Sequence, residues 1–227
     1  NRQWRADWFE RMLADLDHET AQPAFDGRIH PLQLALDVQA AMRDGDWLVI
    51  DGGNTHFWSE IAVNIAGFQG RKLGGILHPG TFSLLGVGVS FAVSAKNVDP
   101  SRNVVLISGD GAFLSGGLSI EAAFQEDRPI VVVIDNNGGL DCISQQQERL
   151  FASGTHYATD FRDIPFHTMF EGLGGHGELV TRREDIIPAV QRAMVSGKTA
   201  CVNVKVKGVI SPIVLATTSK RDKASIE

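Results

Sequence analysis

The sequence predicts an α/β fold: a doubly wound, mainly parallel sheet with helices on both faces. Three observations carry that prediction. The strand-length runs WLVI (47–50), NVVLIS (103–108), PIVVVID (129–135) and TACVNVK (199–205) are nearly continuous in apolar residues, as strands covered on both faces must be. Strand-like and helix-like segments alternate along nearly the whole chain, the pattern of parallel strands joined by crossover helices. The 227 residues are 43% hydrophobic and 21% charged, enough apolar surface for one sizeable core.

The elements follow in order. Trp4, Trp8, Met12 and Leu13 recur at helical spacing, which predicts an amphipathic helix over 4–17. A loop rich in Pro, Gly and His runs from Gln22 to Pro31. Pro31 suits the first position of a helix that extends to Arg43 and ends at Asp44-Gly45. The strand at 47–50 runs into Asp51-Gly52-Gly53. A brief strand at Ile76-Leu77 precedes a Gly- and Ala-rich helix from Leu84 to Lys96, in which Leu85 is expected to be buried. After the strand at 103–108 come a helix over Leu118–Gln125 and the strand at 129–135. Helices at 166–173 and 184–196 flank a strand at 178–180, and 199–205 is the last strand. Residues 208–227 break the pattern and read as an extended tail. The domain reading is therefore a linker helix and loop (1–25), one α/β domain (26–208) and a tail (209–227).

Composition narrows the function. The net charge of −6 and a pI near 5.6 supply no basic stripe to track a phosphate backbone, so no nucleic-acid partner is expected. A local anion site remains open, because backbone amides and a metal hold phosphate without surplus Lys or Arg. Cys142 and Cys201 are the only cysteines. Their spacing indicates neither a zinc knuckle nor a disulfide framework, and two buried thiols in a reducing cytoplasm is the expectation. Apolar runs are interrupted too often to span a bilayer, so no membrane partner is expected.

The chemistry concentrates at three strand ends, where open α/β sheets bind ligands. These are Asp51-Gly52-Gly53-Asn54-Thr55, Gly109-Asp110-Gly111 and Asn136-Asn137-Gly138-Gly139. Asp110 offers a hard anionic oxygen between glycines that let a ligand approach the backbone. Asn137 offers a neutral carbonyl oxygen, and the glycines after it allow a tight turn that exposes a main-chain carbonyl. Oxygen donors of this kind suit Mg²⁺, which combines a few protein oxygens with substrate phosphates. A helix beginning near Gly117 is expected to aim its free amides at the same phosphates.

Gly109-Asp110-Gly111, then 24 residues, then Asn136-Asn137 resembles the motif of thiamine-diphosphate-dependent enzymes. Over residues 30–208 the resemblance is nearest the acetolactate synthase, oxalyl-CoA decarboxylase and 2-hydroxyacyl-CoA lyase group. The resemblance implies thiamine diphosphate and Mg²⁺ as cofactors, with Asp110, Asn137 and the carbonyl of Gly139 holding the metal. It implies cofactor contacts from Gly53, Asn54 and Thr55, from Gly109, Gly111 and Ala112, and from Asn137. By the same resemblance Leu85 is the bulky residue that props the cofactor into its bent shape, and the carbonyl of Ser83 accepts a hydrogen bond from the aminopyrimidine. Ser90 departs from the pattern, which has Pro there. A flavin, where the family has one, sits mainly on a middle domain, so FAD is left undecided by this sequence.

The family's activating Glu belongs to a different, preceding domain that nothing in this chain matches. The resemblance therefore implies an enzyme that makes or breaks a C–C bond beside a carbonyl, acting with a chain or domain that supplies the pyrimidine-binding half-site. A hetero-oligomer or dimer of such pairs is the expected assembly, with a small-molecule or acyl-CoA substrate. The chain begins with Asn1, not Met, in mid-stride on a Trp- and Arg-rich segment, and with the activating domain missing it is expected to be a separate subunit, a cleavage product or a fragment.

His56 and His78 lie near the proposed cofactor mouth and are candidate substrate contacts, although a lone His is more often an ordinary hydrogen-bonded residue. His156, His167 and His176 lack metal-ligand spacing. Gln145-Gln146-Gln147 reads as a solvated helix start. Gly172 to Gly177 fits G-x-G-x-x-G but follows a helix and precedes a strand, the reverse of a dinucleotide fingerprint; it reads as a helix C-cap and loop. That order disfavours the rival reading as a nicotinamide-dependent oxidoreductase. A non-catalytic thiamine-diphosphate-binding module is the other alternative. The tail, with Ser211-Pro212 and the basic Lys220, Arg221 and Lys223, is a candidate lid.

Overall fold

Six strands form one parallel sheet in the order β2-β1-β3-β4-β6-β5. They are β1 (Trp47–Asp51), β2 (Gly75–Leu77), β3 (Val104–Gly109), β4 (Val131–Asn136), β5 (His176–Val180) and β6 (Ala200–Lys205). This is a computed structural model, and it describes residues 2–151 and 154–218. The doubly wound α/β prediction holds. From β1 the chain crosses to β2 on one side, then returns to place β3 and β4 on the other. The carboxyl ends of β1, β3 and β4 thus gather at a topological switch point, the position where such sheets leave a crevice.

The ten helices of the described residues are α1 (Arg2–Thr20), α2 (Pro31–Ala41), α3 (Asn54–Phe68), α4 (Gly88–Val98), α5 (Asp110–Gly116), α6 (Glu121–Gln125), α7 (Asp141–Leu150), α8 (Phe166–Gly172), α9 (Ile186–Val195) and α10 (Pro212–Thr218). Successive strand side chains point to opposite faces, so a continuous apolar run feeds two cores. Leu48, Ile50, Val105, Ile107, Val133 and Val202 pack under α1, α2, α3 and α9. Val49, Leu106, Val132 and Ile134 pack under α4, α5 and α8 through Val89, Phe113, Phe166 and Phe170.

Several boundaries differ from the sequence reading. No helix is assigned to 54–68 from the sequence, yet Trp58, Ile61, Ala62, Ile65 and Ala66 are buried along α3, a legible helical spacing. The helix expected from Leu84 starts only at Gly88, because Ser83 and Gly86 adopt positive φ (52° and 88°) and break it. Ser90 sits in the first turn of α4, where a backbone N–H has no intrahelical partner. Pro and Ser are therefore equally compatible with the backbone there, and α4 forms in spite of the departure from the motif. The expected helix over 118–125 is a 3-10 turn (Gly117–Ile120) followed by the short α6.

The tail is not extended throughout. Ser211 accepts backbone bonds at its hydroxyl from Val214 N–H and at its carbonyl from Leu215 N–H, and Pro212 opens α10. Ser followed by Pro is a helix-start signal. Lys220, Arg221 and Lys223 lie outside the described residues. The Gly172–Gly177 segment behaves as expected: Gly174 takes φ 84°, Gly175 N–H returns to Phe170 O, and β5 follows. Gln145, Gln146 and Gln147 lie within α7 and not at its start; Gln145 and Gln146 bond back to Asp141 and Cys142.

Candidate functional site

The three glycine-rich strand ends converge on one cavity of about 120 Å³ at the switch point. Gly53, Asn54, Thr55, Leu85, Gly109, Asp110, Gly111, Ala112, Asn137 and Gly139 all border it, so the tertiary structure unites ten residues singled out from the sequence. Ser83, His56 and His78 are not in its lining. Ser83 is exposed at the end of a 3-10 turn. His56 turns instead to Glu60, with 2.9 Å between Nε2 and Oε1, and its ring meets that of His78 edge-on at 5.1 Å.

The first wall is the β1–α3 turn. Gly52 has φ 136°, and a Cβ there would lie 3.0 Å from Thr55 Cβ and 3.2 Å from Gly109 N. Glycine is therefore required for the turn to fit against β3. No side chain caps α3; His56 N–H turns back to Gly53 O at 3.1 Å, which leaves the Asn54 and Thr55 amides for an anion beside the positive end of the helix dipole. Asn54 donates to Asp141 Oδ2 at 3.1 Å and accepts from Ser211 N–H at 3.1 Å, which ties the start of the tail to this wall. Thr55 commits its hydroxyl hydrogen to Asp135 Oδ2 at 2.9 Å.

The second wall is Asp110, 2% exposed. Its Oδ2 accepts from Gly138 N–H at 2.8 Å and Gly139 N–H at 3.1 Å, and its Oδ1 from Gly111 N–H at 2.6 Å. Burial pushes its carboxyl up to about 6, although those three amides pull the other way. The helix beginning here is α5, so the expected start near Gly117 is corrected: a Cβ at Gly117 would strike the Phe113 ring at 2.7 Å, and that glycine serves packing.

The third wall is the turn after β4. Gly138 takes φ 86°, and a Cβ at Gly139 would lie 2.4 Å from Thr159 O. Leu140 N–H to Thr159 O and Phe161 N–H to Gly138 O, both 2.8 Å, clamp the turn. Within it Asn137 Oδ1 is buried without a hydrogen-bond partner. A buried acceptor left unpaired costs free energy, and here it faces the same cavity as an anionic carboxylate.

Leu85 closes the fourth side. It is 40% exposed, not buried as the sequence reading has it, because α4 begins three residues later. Asp51 holds its loop: Oδ2 accepts from Gly86 N–H at 3.0 Å and Gly88 N–H at 2.7 Å. Burial raises the Asp51 carboxyl above its ordinary value.

Two carboxylates escaped the sequence reading. Asp135 is fully buried beside Thr55, and burial lifts its carboxyl to about 7. Asp141 borders the cavity and is also raised by burial, opposed by bonds from Asn54 and Gln145. Asp110 and Asp141 each push Asp135 further up. An acidic residue ending an otherwise apolar strand, as Asp135 does, was the available signal. Cys201 is buried as expected, but Cys142 is only partly so and borders the cavity.

Two carboxylates on the cavity, Asp110 and Asp141, an unpaired amide oxygen and helix-start amides fit a cation bridging protein oxygens to an anionic group. Residues 51–204 match the family model described as thiamine pyrophosphate enzyme, C-terminal TPP binding domain. The chain belongs to the thiamine pyrophosphate enzyme family. Within it, the chain is 32% identical over 182 residues to a probable acetolactate synthase of Mycobacterium bovis, covering 78% of this chain and 31% of that protein. It is 30% identical over 199 residues to 2-hydroxyacyl-CoA lyase 2 of Bos taurus, covering 83% and 30%. The thiamine diphosphate-dependent 4-hydroxybenzoylformate decarboxylase of Rhodococcus jostii superposes with a TM-score of 0.65 at 25% identity, covering 82% and 33%. The chain thus spans about a third of the length of these relatives. No helix among the described residues is long and apolar enough to cross a membrane.

Proposed function

We propose that this chain is the Mg²⁺- and diphosphate-holding part of a thiamine-diphosphate-dependent enzyme that makes or breaks a C–C bond beside a carbonyl. In this reading the Asp110 carboxylate, Asn137 Oδ1 and the Gly139 carbonyl hold Mg²⁺. The first-turn amides of α3, with Gly53, Asn54 and Thr55, and the backbone at Gly109, Gly111 and Ala112 receive the diphosphate. Leu85 would support the cofactor in its bent shape, and the Ser83 carbonyl would accept a hydrogen bond from the aminopyrimidine. The observation that carries the reading is Asn137 Oδ1, buried without a partner in the cavity it shares with Asp110. When bound, thiamine diphosphate supplies a nucleophilic carbon that attacks a substrate carbonyl.

This chain's own residues bind and orient. Asp51 fixes the Leu85 loop through two backbone amides, and Asp141 fixes Asn54. Leu85 on the cavity wall and Phe82 (84%) and Leu118 (83%) on separate turns expose apolar side chains. A partner chain or domain that brings the pyrimidine-binding half-site and its activating Glu would cover them and exclude water, in an assembly of such pairs. Relatives named as acetolactate synthases, 2-hydroxyacyl-CoA lyases and a decarboxylase frame the candidate substrates as 2-oxoacids, aldehydes and 2-hydroxyacyl-CoAs, and the candidate compartment is the cytoplasm.

The test is calorimetry with thiamine diphosphate, with and without Mg²⁺, on the assembled enzyme and its Asp110→Ala variant. The reading expects Mg²⁺-dependent binding that the variant loses. Unchanged affinity in the variant would remove Asp110 from the site.

A further inference from the structure

We propose that His56, Glu60 and His78 form a second cation site, separate from the Asp110 cavity and suited to a borderline divalent metal of the zinc class. Their candidate ligand atoms all lie within 4.8 Å of one another, and none of the three borders the cavity. His56 and Glu60 occupy the first two turns of α3 at i and i+4, a spacing that places both on one helix face. His78 reaches them from the loop after β2, its ring edge-on to that of His56 at 5.1 Å.

Two imidazoles and one carboxylate are a donor set that zinc accepts and that magnesium, which prefers oxygen throughout, does not. His56 Nε2 and Glu60 Oε1 stand 2.9 Å apart. Tetrahedral arms of about 2.0–2.1 Å need roughly 3.3 Å between donors, so a small opening of this pair admits the ion. His78 Nδ1 accepts a long bond of 3.2 Å from Gly80 N–H. Metal on either ring nitrogen displaces that bond, because Nδ1 either becomes the ligand or takes the proton. The buried base of the site is His56, while Glu60 is partly open and His78 is exposed, which leaves a fourth position for water. Asp51 lies close enough to His56 for their charges to interact, and its Oδ1 is buried without a partner, so the local potential favours a cation. An ion here would pin the turn that precedes Ser83 and Leu85 to α3.

The test is titration of the assembled enzyme with Zn²⁺ by calorimetry in the presence of excess Mg²⁺, repeated with Co²⁺ to read the visible absorption of a tetrahedral site. One equivalent is expected to bind in the wild type and in Asp110→Ala. Binding should weaken at least tenfold in His78→Ala and in Glu60→Gln, both of which alter residues at the surface and spare the buried His56. Equal affinity in His78→Ala and the wild type would overturn the proposal, as would loss of the equivalent in Asp110→Ala, which would put the ion in the diphosphate cavity. Absence of binding to the wild type would overturn it as well.

Discussion

Replacing Asp110 by asparagine separates holding a metal from holding the fold. Burial raises this carboxyl from 3.8 to about 6, so keeping it ionised at pH 7 costs the metal-free fold about 3 kcal/mol. The amide of Asp110→Asn keeps an oxygen toward Gly138 and Gly139 but sets its NH2 against Gly111 N–H, so the bond that Oδ1 accepts at 2.6 Å is lost, at a cost of about 1 kcal/mol. The variant should therefore be more stable than the wild type by up to about 2 kcal/mol at pH 7 in the absence of Mg²⁺. The sign follows from the raised folded-state value: wild-type stability from this group is fully present below 3.8 and is lost as pH rises through about 6. Accordingly the advantage of the variant should vanish by pH 4. Urea denaturation at the two pH values, with chelator present, measures both. Addition of Mg²⁺ and thiamine diphosphate should then stabilise the wild type and leave the variant unmoved. A variant destabilised by about 1 kcal/mol or more at pH 7, on the order of one lost hydrogen bond, would refute the argument and make Asp110 a structural clasp for the Gly138–Gly139 turn.

Three further outcomes are expected. His30 is 1% exposed, caps α2 by accepting from Leu32 N–H at 2.9 Å, and has its imidazole pushed down to about 4 by burial and by Lys207. Because the unfolded chain takes up that proton first, stability should fall by about 2 kcal/mol between pH 7 and pH 5. His30→Asn, which keeps a capping oxygen, should abolish that part of the slope in denaturation curves, and an unchanged slope would count against it. Truncation before Ser211 removes the bond to Asn54 and should raise KM or lower kcat in the assembled enzyme; kinetics identical to those of the untruncated chain would dismiss a lid or substrate-contacting tail. The purified chain alone should bind thiamine diphosphate and turn nothing over, regaining activity with a partner that carries the pyrimidine half-site. Activity assays paired with light scattering decide this, and robust turnover by a pure monomer would defeat the split-site reading.

Much of the site was legible because its chemistry is local. Gly109-Asp110-Gly111 and Asn136-Asn137 stand out as polar and flexible residues at the ends of apolar runs, and all three glycine-rich turns do border one cavity. Asp135, buried behind the cavity wall, was not legible as its support, since its meaning depends on Thr55, eighty residues earlier, which donates a hydrogen bond to it only in the folded chain. Leu85 was misjudged for a related reason. Its exposure follows from where α4 begins, and that is set by the positive φ of Ser83 and Gly86 together with the grip of Asp51 on Gly86 and Gly88.

The sequence by itself determined the layers, the parallel sheet and the family, because continuous apolar strands can be satisfied only by cover on both faces and because glycine-rich turns at strand ends demand particular residue types at particular spacings. The tertiary structure alone decided which charges share a cavity, which polar atoms are left without partners, and that His56 meets His78 instead of the Asp110 cavity. Those are properties of distance and dielectric between segments far apart in the chain, and a carboxylate becomes costly or useful only once its neighbours have excluded water from around it.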